Sequence, residues 1–138
     1  MGKRLKKPRK TTGTKIKASD NDSPLNEIDY PVFCLRHLHK ARDYNLGSCD
    51  NEHKSAFVSQ LETLSQLPWN KINTLPRHGL GWEKLPQAAI NDRIPNHVTE
   101  DVTLLAFRYH GRKPFVGYRS SFIFHVLFID HHYELYNH

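Results

Sequence analysis

The sequence predicts an α+β domain, an N-terminal strand and helices packed on a small twisted antiparallel sheet. Three observations lead there. The last third, Val102 to Tyr136, reads VTLLAFRYHGRKPFVGYRSSFIFHVLFIDHHYELY, three apolar stretches broken by turn-like and basic clusters. In the middle of the chain the apolar period is helical instead, with Phe57, Leu61 and Leu64 at i, i+4 and i+7. Strand, helices and then a run of strands follow one another without an internal repeat, so helices and strands are segregated along the chain.

Residues 1–27 are polar and basic with no periodic apolar pattern, and they read as a disordered tail. The single domain is expected over residues 28–138. Tyr30 to Leu38 has the apolar and aromatic content of a strand, with Pro31 at its start. Asp43 to Gly47 is a loop. Ser48 or Asp50 can cap a helix running to about Leu67. Pro68 suits the first turn of a second short helix, Pro68 to Leu75, with Trp69 and Ile72 on one side. Arg77 to Pro86 (RHGLGWEKLP) has two glycines and reads as an ordered loop around Trp82. Gln87 to Glu100 is polar and irregular, with Pro95 as a breaker. Strands follow at about Val102–Tyr109, Phe115–Tyr118 and Phe122–Ile129, with a last one at Tyr133–Tyr136. Ser120-Ser121 marks a turn or a bulge, and Asp130-His131-His132 the final turn.

Charge separates tail from body. The chain carries a formal +6, yet residues 1–17 hold 8 of its 20 basic residues and no acid. The remainder has 12 basic against 14 acidic groups, a balance of −2. Electrostatic attraction to nucleic acid is therefore a property of Lys3, Arg4, Lys6, Lys7, Arg9 and Lys10 in the tail. On the domain, Arg108, Arg112 and Lys113 flank a turn and are further candidates for phosphate contacts. The bland alternatives are a solubilising tail and a solvated turn.

Cys34 and Cys49 do not make a disulfide framework, and reduced thiols are expected. Cys49, near a helix start, is a place where a thiol pKa can fall. No apolar run approaches the roughly 18 residues of a membrane span. The basic start is not followed by the apolar segment of a signal peptide, so a cytoplasmic protein is expected.

The loop RHGLGW at Arg77–Trp82, the Gly117-Tyr118 step, the run FIFHVLFID at Phe122–Asp130 and the ending ELY at Glu134–Tyr136 resemble the ParE-like toxins of bacterial type II toxin–antitoxin systems. The likeness runs from Phe33 to Tyr136, about three quarters of the chain. Its motifs are short, and none is diagnostic alone. Gly79 stands where the family pattern has Pro, and Tyr133 where it has His. The resemblance implies a RelE/ParE-type fold, a cognate antitoxin protein as partner and no cofactor. It implies one of two targets: RelE-like members cut mRNA on the ribosome, and ParE-like members poison DNA gyrase.

Cleavage of RNA by its own 2′-hydroxyl needs a base, an acid and cations around the phosphorane, and no metal. Arg77, His78, Arg119, His125 and Tyr133 are the candidate catalytic residues, with His110 beside the basic turn. Each has a structural alternative. Arg77 and His78 can anchor the loop at Trp82. His125 has apolar neighbours on both sides of a strand and can be a satisfied, half-buried histidine. Strict alternation would put Phe122, Phe124, Val126 and Phe128 on one face and Ile123, His125, Leu127 and Ile129 on the other. A metal site from His131, His132 and His138, or from His37 and His39, lacks partners in register, and none is expected. The sequence thus points to a growth-inhibiting toxin, an endoribonuclease if it follows the RelE-like members. The alternative is a non-catalytic nucleic-acid-binding module whose basic tail supplies the affinity.

Overall fold

The computed structural model describes residues 29–40 and 43–138. The tail and its basic residues, Lys3 to Lys10, lie outside the described residues. Five strands form one sheet: β1 Val32–Cys34, β2 Trp82–Leu85, β3 Leu104–His110, β4 Lys113–Ser120 and β5 Ile123–Ile129. Two α-helices, α1 Asn51–Ser65 and α2 Trp69–Ile72, separate β1 from β2. The strand order is β1-β5-β4-β3-β2. β1 runs parallel to β5 and every other pair is antiparallel, so the sheet is mixed rather than wholly antiparallel. The α+β class holds. β1 and β2 occupy opposite edges, and the chain crosses the sheet through α1 and α2 to pass from one to the other.

Asp50, not Ser48, caps α1: its carboxylate accepts from the His53 N–H at 2.8 Å, and Glu52 sits in the first turn. Ser48 closes a separate turn, in which Asn45 and Ser48 satisfy each other's backbone N–H. Phe57 and Leu64 are fully buried, as the helical stripe requires, with Leu61 packed beside them. α2 is a single turn, shorter than the expected Pro68–Leu75. It buries Trp69 and Ile72, and the Trp69 indole donates to the Phe122 carbonyl at 2.9 Å.

Three elements depart from the sequence reading. Trp82–Leu85, read as loop, is the edge strand β2, paired with β3 from Trp82↔Phe107 to Leu85↔Leu104. Four residues between Gly81 and Pro86 are too short a run to show alternation. Tyr133–Tyr136, read as a strand, is irregular, and Tyr133 takes a left-handed φ of 63°. Along β5, Val116 pairs with Phe128 and Gly117 with Val126, which leaves Leu127 unpaired as a bulge. Strict alternation fails at that point. Phe124, Val126 and Ile129 face the helices, and Leu127 and Phe128 face away. Phe128 and Ile129 have therefore exchanged faces relative to the alternating pattern. Gly117 permits this, because a Cβ there would overlap the His125 carbonyl oxygen.

Both faces of the sheet are covered. The helices take Leu105, Phe107, Tyr109, Phe115 and Phe124, all buried. The opposite face, with Leu104, Ala106, Val116, Leu127 and Phe128, is covered by irregular chain: Ile90 and Val98 from the 86–102 segment, and Leu135 and Tyr136 from the chain end. Gln87 ties that segment together by donating to the Thr99 and Val102 carbonyls, both at 2.7 Å. Near-continuous burial on both faces explains why the three long strands read as apolar runs rather than clean alternation.

Candidate functional site

The chain end is folded back by one buried carboxylate. Asp130 closes β5 by donating its N–H to the Pro114 carbonyl at 2.9 Å. Its side chain accepts from the Glu134 N–H at 3.1 Å and the Leu135 N–H at 2.9 Å. Charge-assisted bonds of this kind are the strong ones, and they fix the direction in which residues 133–138 leave the sheet. Tyr136 then reaches β2, where its hydroxyl donates to Glu83 at 3.1 Å. The other oxygen of Glu83 accepts from Arg77 at 3.2 Å. Arg77 also lies 3.4 Å from the His78 ring. On the far side, the His138 ring stacks on Tyr133 at 3.4 Å between centroids and lies 4.2 Å from Tyr136.

One rim of the sheet thus gathers Arg77, His78, Glu83, Tyr133, Tyr136 and His138. Arg108 is close enough to act on His138 electrostatically. Burial lowers the His138 pKa below the ordinary histidine value and Arg108 adds to this, while Asp130 and Glu83 oppose it. Burial raises the Tyr136 phenol, and the carboxylate of Glu83 raises it further. Of the candidate residues, Arg77, His78 and Tyr133 lie along this run of contacts, and Arg108 acts on its His138 end. Glu83, Tyr136 and His138 complete the group. Sequence alone does not single these three out for such a role; only their proximity in the fold does.

Arg119 and His125 are not at this rim. Arg119 is near the other end of β4, its guanidinium 4.2 Å above the Trp69 ring and its Nε donating to the Ser121 carbonyl at 2.7 Å. His125 lies on the face away from the helices, stacked on Tyr118 at 4.7 Å. His37 is 6.0 Å from it, and His97 is 4.0 Å from His37. His97 shares a 3.0 Å hydrogen bond with the Tyr118 hydroxyl. The expected satisfied histidine is not what forms, since Nδ1 of His125 is buried without a hydrogen-bond partner. Burial lowers the His125 pKa, and His37 and His97 lower it further.

A second group surrounds the start of α1. Lys113 lies 2.8 Å from Nε2 of His53, and Asp50 lies 2.6 Å from Nδ1. An ammonium can only donate, so Nε2 accepts and Nδ1–H donates to the carboxylate. His110, 4.7 Å from His53 between ring centroids, meets Glu52 at 3.1 Å. The hydrogen bonds from His53, backbone first and then ring, hold the Asp50 carboxyl below its usual pKa. Lys113 is therefore engaged within the protein, whereas Arg112 stands exposed at the turn. Cys49 does not have the lowered thiol pKa that a helix start can give: burial pushes it up and Asp50 adds to this. Both cysteines are free.

The histidine sets weighed for a metal are rearranged. His138 stacks on Tyr133 instead of joining His131 and His132, and Asp43 takes its place, the three donor atoms lying within 4.8 Å of one another. His37 and His39 part company, His39 meeting Asp92 at 3.7 Å. Among the described residues no helix is long and apolar enough to cross a membrane. No protein-family model, curated protein or solved structure matches the chain.

Proposed function

We propose that this protein is the toxin component of a type II toxin–antitoxin system, with a RelE/ParE-like fold, and that it inhibits growth by cutting mRNA at the rim formed by the chain end. The observation that carries this reading is the run of contacts from His78 and Arg77 through Glu83 and Tyr136 to His138 and Tyr133, with Arg108 acting on His138, residues distant in sequence. Support also comes from the element order, one strand, two helices and four strands, with helices on one face. Where the family pattern has His, this chain has Tyr133, and the His138 imidazole stacked on it supplies a base at the same place.

In this reading Arg108 and Arg77 hold the scissile phosphate and stabilise the charge that builds on it. His138, whose neutral form is favoured by burial, takes the proton of the 2′-hydroxyl as that oxygen bonds to phosphorus. The bond from phosphorus to the 5′-oxygen breaks, and His78 protonates the leaving oxygen. The products are a 2′,3′-cyclic phosphate and a free 5′-hydroxyl. An antitoxin would act by covering this rim.

A second reading, a nucleic-acid-binding module driven by the tail, is favoured by the −2 balance outside residues 1–17 and by the neutralisation of Arg77 by Glu83. Tightly controlled induction in a bacterial host separates the readings. Growth arrest with loss of mRNA is expected, and His138→Gln or Arg108→Ala should lower cleavage about 10²-fold or more. Arrest with DNA damage and intact RNA would instead indicate gyrase. Soluble expression without arrest would remove the toxin reading and favour the binding module.

A further inference from the structure

We infer that Asp43, His131 and His132 form an open three-donor site for a divalent transition-metal cation of the Zn²⁺ class. Two imidazoles and one carboxylate suit such ions, with one position left for water. The three donor atoms lie within 4.8 Å of one another. Metal–ligand bonds of 2.0–2.1 Å imply donor separations of about 3.3 Å in a tetrahedron, so the site must contract by an ångström or so. Asp43 and His132 are exposed, so their side chains have room to move toward that geometry.

A separate observation concerns His131. Its Nε2 is buried and has no hydrogen-bond partner, an uncommon state for a buried polar atom. The Asp43 backbone hydrogen-bonds the same ring, and with Nε2 unpartnered that bond falls to Nδ1. A backbone carbonyl on one ring nitrogen and an open second nitrogen is how proteins orient a metal-binding imidazole. The simpler account would make the two histidines part of the turn's own scaffolding. That turn is already closed by the Asp130 carboxylate through Glu134 and Leu135, and the histidine rings, 3.9 Å apart, are not required for it. In the neighbouring group, Lys113 is engaged with His53.

The test is calorimetric titration of the metal-free full chain with ZnCl₂. Asp43→Asn and His132→Gln are the variants, and His37→Gln, in the other histidine cluster, is the control. One Zn²⁺ per chain is expected at micromolar concentrations, with binding weakened about tenfold or more by each of the first two substitutions and kept by the third. Because both substituted residues are exposed, the variants should fold, and a wild-type circular dichroism spectrum verifies this. A rise in Tm with Zn²⁺, smaller in Asp43→Asn at the same Zn²⁺ concentration, is the second readout. No binding at micromolar Zn²⁺, binding that survives either substitution, or binding lost with His37→Gln overturns the assignment.

Discussion

His53, at the start of α1, has a carboxylate on one ring nitrogen and an ammonium on the other, whereas His125, across the sheet, has neither. Its neighbours are the rings of Tyr118 and His37, with His97 beyond, and one of its nitrogens is buried without a partner. Fixed charges dictate the tautomer in the first cluster. In the second, burial and mutual repulsion disfavour any charge at all. The same side chain is an oriented hydrogen-bond relay in one place and an aromatic packing unit in the other. What separates them is the set of polar groups that the fold delivers, so a count of ten histidines in the sequence predicts neither.

The second cluster depends on the β5 bulge, which fixes where His125 sits relative to Tyr118. Gly117→Ala would force a Cβ into the His125 carbonyl and push β4 from β5. Destabilisation of roughly 3 kcal/mol or more is expected from urea unfolding, a loss larger than any single polar contact of either cluster can cause. The His53 cluster, held by α1 and the β3–β4 turn, should keep its ring contacts in any folded fraction, visible as unchanged His53 resonances. Loss of both clusters together would mean that they are not independent.

The legibility of these regions from sequence follows the range of the forces. α1, its Asp50 cap, the Phe57–Leu64 stripe and the buried Trp69 and Ile72 are set by neighbours within a turn or two, and the local period exposes them. The parallel pairing of β1 with β5 and the edge strand β2 depend on chain far away, and no local pattern carries them. The bulge is decided by a glycine on the partner strand, so alternation within β5 alone assigns Phe128 and Ile129 to the wrong faces. At the rim, Arg77, His78, Arg108 and Tyr133 are chemically conspicuous, but the bond that unites them, Tyr136 to Glu83, spans 53 residues.

Titration gives the next contrast. His125 and His37 have folded pKa values below the ordinary 6.5, so the unfolded chain binds more protons than the folded one between those values and 6.5. Their contribution to stability is complete above 6.5 and is lost as pH falls through that window. Urea midpoints measured from about pH 7.5 to 5 should therefore decline, and His125→Phe should flatten the decline. An unchanged slope in His125→Phe would assign the acid sensitivity elsewhere and remove the distinction drawn for this cluster.

The smallest effect concerns the relay. Lys113 is half-buried, and replacing it by Met keeps its aliphatic stem over the sheet end while deleting the donor to Nε2 of His53. The cost in stability should stay near or below about 1 kcal/mol, as for partly exposed polar pairs. The informative readout is spectroscopic. In the wild type, ¹⁵N ring shifts of His53 should report one ring arrangement, Nδ1–H donating to Asp50 and Nε2 accepting from Lys113. Without the ammonium nothing obliges Nε2 to accept, and the shifts should move away from those values. His125 in the same spectrum is the internal reference, because no ammonium contacts it, and its signals should not move. Unaltered His53 shifts in Lys113→Met would mean that Asp50 alone orients the ring, reducing the relay to a capped helix with an adjacent histidine.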